Sequence, residues 1–156
     1  MVYVFRQGVL KIVPSRFSDI FERYRLKDEV VNSTCLYNDD LYIGKDKGLT
    51  VIHDKSVADS LRMKSIKTAS GRKIKQRDLL KLLEDIKIRS IICAQDNTLW
   101  ISTFSKYGLI SVKESEVVCY TEEDGMPSSR VRAVAESKDG PVLAACTGGV
   151  AVVRDG

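Results

Sequence analysis

The side chains with the clearest potential for acid–base chemistry are the one histidine, His53, and two pairs of adjacent acids, Asp39–Asp40 and Glu122–Glu123. Paired carboxylates can divide the acid and base roles of hydrolysis, and a histidine can activate a nucleophile. Both acid pairs lie in stretches typical of turns, where carboxylates are usually solvated. His53 stands alone, so a triad would need a nucleophile brought to it by the fold. We therefore expect no catalytic residues and no enzymatic activity.

Four cysteines, Cys35, Cys93, Cys119 and Cys146, are spread along the chain without a CxxC pair. A zinc site normally needs about four Cys and His ligands with at least one close pair. The sequence also lacks GxSxG, HExxH and P-loop motifs. We expect neither a metal site nor a cofactor, and we interpret the cysteines as small apolar residues in strands.

The most basic stretch is residues 62–77, and the leucines of residues 77–85 have the i, i+3, i+4 spacing of a short amphipathic helix. Across the whole chain, 25 Lys and Arg are interleaved with 21 Asp and Glu, so we expect a mixed solvated surface and no nucleic-acid partner. The basic stretch could still meet an anionic partner, although such loops are more often simply solvated. The candidate ligand-binding residues are Arg72, Lys73, Lys75, Arg77, Tyr107, Arg130 and Arg132.

The elements that would position these side chains form a repeat. A turn, a strand of about five residues, a glycine-containing turn and a second strand recur around Tyr42, Trp100 and Leu143. The turn glycines are expected because tight hairpins need positive φ. The step from Trp100 to Leu143 is 43 residues, which is typical of a four-stranded propeller blade. The step from Tyr42 to Trp100 is longer, and the excess lies in residues 56–86. The position of Trp100 in the repeat predicts core packing between blades.

Further strands flank each unit. Residues 30–36, 88–94 and 131–136 precede the three units, and residues 20–24 and 116–120 have the pattern of a fourth strand. Cys35 lies six residues before Leu41, and Cys93 lies six residues before Leu99. This spacing places the two cysteines at one repeat position, which argues against their pairing with each other.

We predict an all-β chain, a partial β-propeller of about three to four four-stranded blades, with one short helix in an inserted loop. About fourteen strands form a single domain over residues 1–156, which begins in the second strand of a blade and ends after a third strand. The predicted blades are residues 1–26, 27–87 with the insertion 56–86, 88–128 and 129–156. An open arc exposes apolar faces and strand edges. We therefore expect self-association, as a dimer or larger, or completion by missing blades of a parent chain.

Residues 96–153 resemble the two-component regulator propeller repeat. Residues 99–103, Leu-Trp-Ile-Ser-Thr, match its Leu-Trp-Ile-Gly-Thr strand, and residues 120–134 match its Tyr-Thr-x-x-Asp-Gly-Leu-Pro-Ser-Asn stretch closely. Asp-Gly supplies a turn and Pro127 fixes φ, so the loop also makes physical sense by itself. The third unit departs from the pattern, with Leu143 at the Trp position and Ala145 at the Gly position.

This resemblance implies an extracytoplasmic sensor segment of a bacterial membrane receptor whose output is a histidine kinase, a hybrid two-component regulator or a diguanylate cyclase. It also implies a small-molecule or carbohydrate ligand. No apolar run of 18 residues is present and the N-terminus does not have the pattern of a signal peptide, so a membrane would be reached only through the parent protein. The alternative is an intracellular scaffold propeller for protein–protein interaction, without a small ligand.

Overall fold

The computed structural model describes residues 2–5, 8–11 and 16–154, and its principal elements are short strands. The strands are β1 (Val2–Phe5), β2 (Gly8–Lys11), β3 (Val31–Tyr37), β4 (Asp40–Lys45), β5 (Gly48–His53), β6 (Ser56–Val57), β7 (Ser65–Thr68), β8 (Ile88–Cys93), β9 (Leu99–Thr103), β10 (Leu109–Lys113), β11 (Glu116–Tyr120), β12 (Val131–Glu136), β13 (Val142–Cys146) and β14 (Gly149–Val153). Two four-residue helices, α1 (Ile20–Arg23) and α2 (Leu79–Leu82), and a 3₁₀ helix at Glu122–Asp124 complete the set. No helix in the described ranges is long and apolar enough to cross a membrane.

Three sheets follow one another along the chain, and we call them blades 1, 2 and 3. Blade 1 has the strand order β3-β4-β5-β6, blade 2 contains β8-β9-β10-β11, and blade 3 contains β12-β13-β14; β1 and β2 form a separate hairpin. Consecutive strands of a blade pair antiparallel, as short connections require. The chain is therefore an all-β, partial β-propeller, as the repeat predicts.

The apolar cores lie between blades. Tyr42 belongs to the cluster between blades 1 and 2, and Trp100 belongs to the cluster between blades 2 and 3. The Trp100 ring is 7% exposed and its centroid lies 5.6 Å from that of Tyr120, which confirms its predicted packing role. Leu143 holds the corresponding position in blade 3. Its neighbour Ala144 faces blade 2, so Leu143 faces away and is 36% exposed.

The first strands of the blades lie side by side: β3 contacts β8, and β8 contacts β12. Between the first two, Asn32 Nδ2 donates to the Ile88 carbonyl at 2.8 Å, and the Ile91 N–H donates to Ser33 Oγ at 2.9 Å. The residue numbers in these contacts increase together along the chain, and Asn38 contacts Asn97 just beyond the two strands, so β3 and β8 run in the same direction. The loops that precede the first strands consequently lie at one end of the molecule.

The insertion between blades 1 and 2 is partly structured. Its strand β7 pairs parallel to β11 and adds a fifth strand to blade 2, from Ser65 opposite Glu116 to Thr68 opposite Cys119. The sequence predicts a solvated loop here, and that prediction is wrong for these four residues. The predicted helix is present as α2, where the Asp78 carboxylate caps the helix by accepting the Leu80 N–H at 3.0 Å.

The prediction of a strand at residues 20–24 is wrong, because the chain forms α1 there. The Asp19 side chain accepts the Phe21 N–H at 2.8 Å, and the Tyr24 N–H donates to the Ile20 carbonyl at 3.0 Å. An aspartate at the N-cap satisfies a helix donor that a strand would offer to a neighbour. The segment has too few apolar residues to distinguish the helical period of 3.6 residues from the strand period of two, so the cap decides.

Cys35 and Cys93, in the first strands of blades 1 and 2, do not occupy one repeat position, contrary to the prediction. Cys35 pairs with Tyr42, whereas Cys93 pairs with Leu99, which corresponds to Leu41 of blade 1. The hairpin after β8 is one residue longer than the hairpin after β3, so counting along the sequence misassigns the register. A shift of one residue turns a side chain to the other face of its sheet.

Candidate functional site

Three loops come together at one end of blade 2. Strands β7, β9 and β11 end there, and β10 begins there. Residues 69–74, 104–108 and 121–130 leave the sheet at these positions and lie next to one another. The segment that resembles a sensor repeat therefore meets the basic insertion at a single edge.

An open cleft of about 520 Å³ lies between the three loops. Its lining combines cations, carboxylates, hydroxyl groups and one aromatic ring. The charged and aromatic members are Arg72, Lys73, Lys106, Tyr107, Glu122 and Glu123. Such a lining suits a small ligand with several polar groups, because each polar group of the ligand can find a partner in it.

The wall formed by residues 121–130 is fixed by its own hydrogen bonds. Asp124 Oδ2 accepts the backbone N–H and the hydroxyl of Thr121, each at 2.9 Å, and the Met126 N–H donates to the Thr121 carbonyl at 3.1 Å. Gly125 has φ of +96°, which glycine adopts without a Cβ clash. The Asp-Gly of the repeat thus closes a turn that presents a preformed surface to the cleft.

Asp124 also joins the two walls of the cleft. Its Oδ1 accepts the backbone N–H of Ser70 in the insertion at 2.8 Å. Burial opposes the charge of Asp124, but the hydrogen bonds from Thr121 and Ser70 outweigh it and lower the pKa of the Asp124 carboxyl. The carboxylate is therefore charged near neutral pH and holds the insertion against blade 2.

The two carboxylates of the cleft have partners within the protein. Arg72 Nη2 lies 3.2 Å from Glu123 Oε2, and Glu122 Oε1 accepts the Ser129 N–H at 2.8 Å. In the described part of the chain, Lys73 and Lys106 form no ion pair. The positive charge of the cleft is consequently less neutralised than the negative charge.

Beside the cleft, two arginines stack on one phenyl ring. The guanidinium carbons of Arg89 and Arg132 lie 5.3 Å and 5.5 Å from the Phe104 centroid, and the Arg130 backbone forms a β-bridge with Phe104. Within residues 16–154, Arg130 and Arg132 form no ion pair, and Arg89 Nε is buried without a hydrogen-bond partner. Guanidinium groups left without carboxylates can bind an acidic group in a bidentate manner.

The structure separates the seven candidate residues into three groups. Arg72, Lys73 and Tyr107 line the cleft, and Arg130 and Arg132 adjoin Phe104 next to it. Lys75 and Arg77 are exposed and follow a segment that runs back along β7, where Lys67 pairs with Lys73 and Met63 donates to the Arg77 carbonyl. The structure therefore does not bring Lys75 and Arg77 into the cleft.

Sequence reasoning missed Arg89, Phe104, Lys106 and the two cleft glutamates as members of this site. Phe104 and Lys106 directly follow the strand at residues 99–103 that carries the repeat motif, and that adjacency was the available signal. Arg89 gave none, because it lies at the irregularity of β8 between Ile88 and Ser90, where the regular alternation of side chains is broken. Among the described residues, no group of three or more His, Cys, Asp or Glu is placed to hold a metal ion.

No family model and no curated protein matches this chain. Among solved structures, PorZ, a surface component of the type-IX secretion system of Porphyromonas gingivalis, matches with a TM-score of 0.56 and 14% identity over 78% of this chain and 17% of that one. Virginiamycin B lyase from Staphylococcus aureus matches with a TM-score of 0.55 and 11% identity over 85% of this chain and 41% of that one. These likenesses show the fold alone, and this chain spans less than half the length of either protein.

A further match is the extracellular domain of a proposed hybrid two-component system from B. thetaiotaomicron. Its TM-score is 0.43 and its identity 18%, over 88% of this chain and 22% of that one. A TM-score of this size adds no argument about fold or function.

Proposed function

We propose that this chain is a ligand-binding segment of an extracytoplasmic sensor propeller in a bacterial signalling receptor. The observation that carries the proposal is the meeting of the repeat-like loop at residues 121–130 with cationic side chains around one cleft. Five of the seven candidate residues lie in or beside that cleft. The resemblance of residues 96–153 to a sensor repeat supplies the receptor context, including the extracytoplasmic location and an output module elsewhere in the parent protein.

The role is binding and not catalysis. Glu123 is held by Arg72, and Glu122 accepts a backbone hydrogen bond, so both carboxylates of the cleft serve as structural acceptors. Both glutamates are also exposed to solvent. We propose no cofactor and no metal for this site.

The ligand is a carbohydrate or a similar small molecule that carries an acidic group. Tyr107 contributes an aromatic ring to the cleft, with Lys106 Nζ 5.2 Å from its centroid. The polar lining offers partners for the hydroxyl groups of a sugar. The unpaired guanidinium groups of Arg130 and Arg132 are the partners for the acidic group. A neutral sugar would leave them without a counter-charge.

The test is titration calorimetry and thermal unfolding with a panel of acidic and neutral oligosaccharides, such as oligogalacturonates and maltooligosaccharides of equal length. We expect binding of an acidic member, weakened about tenfold or more by Arg132→Gln, since a charge-assisted hydrogen bond contributes about 1.5–3 kcal/mol. Arg77→Gln, which removes a charge outside the cleft, is the matched control. Equal loss in both variants, or no acidic member that binds, would overturn the proposal.

A second candidate role, a scaffold that docks proteins without a small ligand, is favoured by the outer face of blade 3. The side chains that point away from blade 2 are all apolar: Ala133, Ala135, Leu143, Ala145, Val150 and Val152. In blades 1 and 2 the corresponding faces are covered by the next blade. We propose that a second copy of the chain covers this face when the chain is isolated, whereas in a longer parent protein a further blade would do so.

A further inference from the structure

Cys35 of β3 and Cys93 of β8 point into the same space between blades 1 and 2. Cys35 pairs with Tyr42 and Cys93 pairs with Leu99, and both of these partners belong to the core cluster between those blades. Had the two cysteines occupied one repeat position, they would have pointed to the same side of their respective blades, and Cys93 would have faced blade 3. The one-residue difference in hairpin length is what turns them toward each other.

The contacts between β3 and β8 set the two cysteines opposite one another. Cys35 follows two residues after Ser33, whose Oγ accepts the Ile91 N–H at 2.9 Å, and Cys93 follows two residues after Ile91. The strands run in the same direction, and side chains recur on one face every second residue. Cys35 and Cys93 are therefore the next facing pair along the two strands.

Contacts beyond the pair keep the strands close. Asn97 Nδ2 donates to Asn38 Oδ1 at 3.1 Å, and the Tyr37 hydroxyl donates to the Val112 carbonyl at 3.4 Å. Inter-blade contacts thus bracket the cysteines on both sides. A disulfide requires Cα atoms within about 7 Å, and contacts on both sides of the pair hold β3 and β8 next to each other there.

The two thiols differ in access. Burial raises the pKa of the Cys35 thiol, the neighbouring Cys93 raises it further, and a backbone N–H of Cys93 opposes the rise. Cys93 is exposed, and its sulfur lies 3.7 Å from both the Ala94 carbonyl and Asn97 Oδ1. Cys93 is therefore the more accessible thiol for a soluble reagent, and Cys35 is the less accessible one.

We propose that Cys35 and Cys93 form a reversible disulfide that links blade 1 to blade 2. The Cys93 thiolate attacks a small-molecule disulfide such as oxidised glutathione, forming a mixed disulfide and releasing one thiolate. The Cys35 thiolate then attacks the Cys93 sulfur and releases the second. Overall, two protein thiols lose two electrons and two protons, and the small disulfide is reduced to two thiols. Closing a loop that spans most of two blades restricts the unfolded chain and stabilises the folded one.

The test is to incubate the whole chain with oxidised glutathione and to map its thiols by mass spectrometry. We expect two of the four cysteines to become linked, Cys35 to Cys93, without a retained adduct, and the thermal midpoint to rise until a reductant is added. Cys119 and Cys146 are internal controls because both are buried, and burial raises the pKa of the Cys119 thiol to about 12.

Two single variants separate the steps. Cys35→Ser should retain one glutathione at Cys93, because no second thiol displaces it, and its midpoint should not rise. Cys93→Ser should take up little glutathione and form no intramolecular link. A wild-type chain that keeps a glutathione adduct on Cys93, or that links its cysteines only between chains, would overturn the inference.

Discussion

At the scale of single residues, the pairing of His53 with Asp40 offers a direct probe of the folded chain. His53 Nδ1 lies 2.6 Å from Asp40 Oδ1 across the hairpin of blade 1. The hydrogen bond and the negative charge of Asp40, with a smaller effect of Asp54, raise the pKa of His53 above its ordinary value of 6.5. Both favour the imidazolium form.

Replacing Asp40 by Asn should return the pKa of His53 toward its ordinary value, as measured by NMR of the single histidine. Because the folded-state pKa is raised, the pair stabilises the fold fully at pH below the unfolded value, and this stabilisation is lost as pH rises through the folded value. The ring is exposed, so the effect on stability should be small. Asp54→Asn is the control and should lower the pKa less; equal shifts in the two variants would contradict the assignment.

The side chains of the cleft show which features of a binding site can be identified from residue type alone. Arg72, Lys73 and Tyr107 were predicted by type and by their place in loops, and they do line the cleft. Lys75 and Arg77 are also cationic, but they lie in the segment that runs back along β7, away from the cleft. Charge type is visible in a sequence, whereas the direction in which a loop turns depends on its hydrogen bonds to a neighbouring strand.

At the scale of elements, Gly108 shows why the turn after β9 needs glycine. Its φ is +60°, and a Cβ built on it would lie 2.2 Å from the Tyr120 carbonyl oxygen. The close approach lets the ends of β10 and β11 meet at the edge of the cleft. Both the backbone conformation and the space exclude a larger residue.

Gly108→Ala should lower the free energy of unfolding by about 2 kcal/mol or more, because the strain of positive φ and the contact with a backbone atom add together. Urea denaturation measures the change. Gly71→Ala is a matched control, since Gly71 also has positive φ but an added Cβ would meet nothing within 4 Å. The control carries only the strain of positive φ, about 1–2 kcal/mol, and should therefore lose less than Gly108→Ala. Similar losses in the two variants would show that the contact with Tyr120 is unimportant.

Strand β7 is the element that no local pattern revealed. Ile66 and Thr68 are each 2% exposed while Lys67 between them is exposed, so the alternation is present but spans only four residues. Its partner, β11, lies about fifty residues later and runs parallel to it. A strand this short is stabilised by the edge that receives it, and that edge exists only once blade 2 has formed.

At the scale of the whole molecule, the outer face of blade 3 is the surface through which we propose that the isolated chain associates. Leu143 occupies the position that Tyr42 and Trp100 hold in the earlier blades, where each is covered by the next blade. On the same face Val150 is 65% exposed and Val152 is 49% exposed. A continuous apolar face of this kind favours burial against another surface.

Light scattering behind a sizing column should therefore give the isolated chain at least twice the monomer mass. The double variant Leu143→Lys with Val152→Lys should shift the chain to the monomer, because lysines on the face would have to be desolvated on association. Ser60→Lys with Thr147→Lys adds the same charge at exposed positions elsewhere and should leave the mass unchanged. A wild-type monomer would contradict self-association through this face.

The sequence alone determined the positions of most strands, the blade repeat and the equivalent positions within it. The strand pattern at residues 88–154 is confirmed almost residue by residue, because alternation and turn glycines act locally. The equivalence of Tyr42, Trp100 and Leu143 also holds in the registers. Each of these features depends on neighbours within about ten residues.

Only the tertiary structure decided which distant groups meet. It placed Arg89 and Arg132 on opposite blades around Phe104, joined Ser70 to Asp124, and turned Cys93 toward Cys35. For the cysteines, the physical reason is that one additional residue in the hairpin after β8 places each side chain of β8 on the opposite face from its counterpart in β3. Contacts between blades depend on that facing, and no spacing within one repeat reports it.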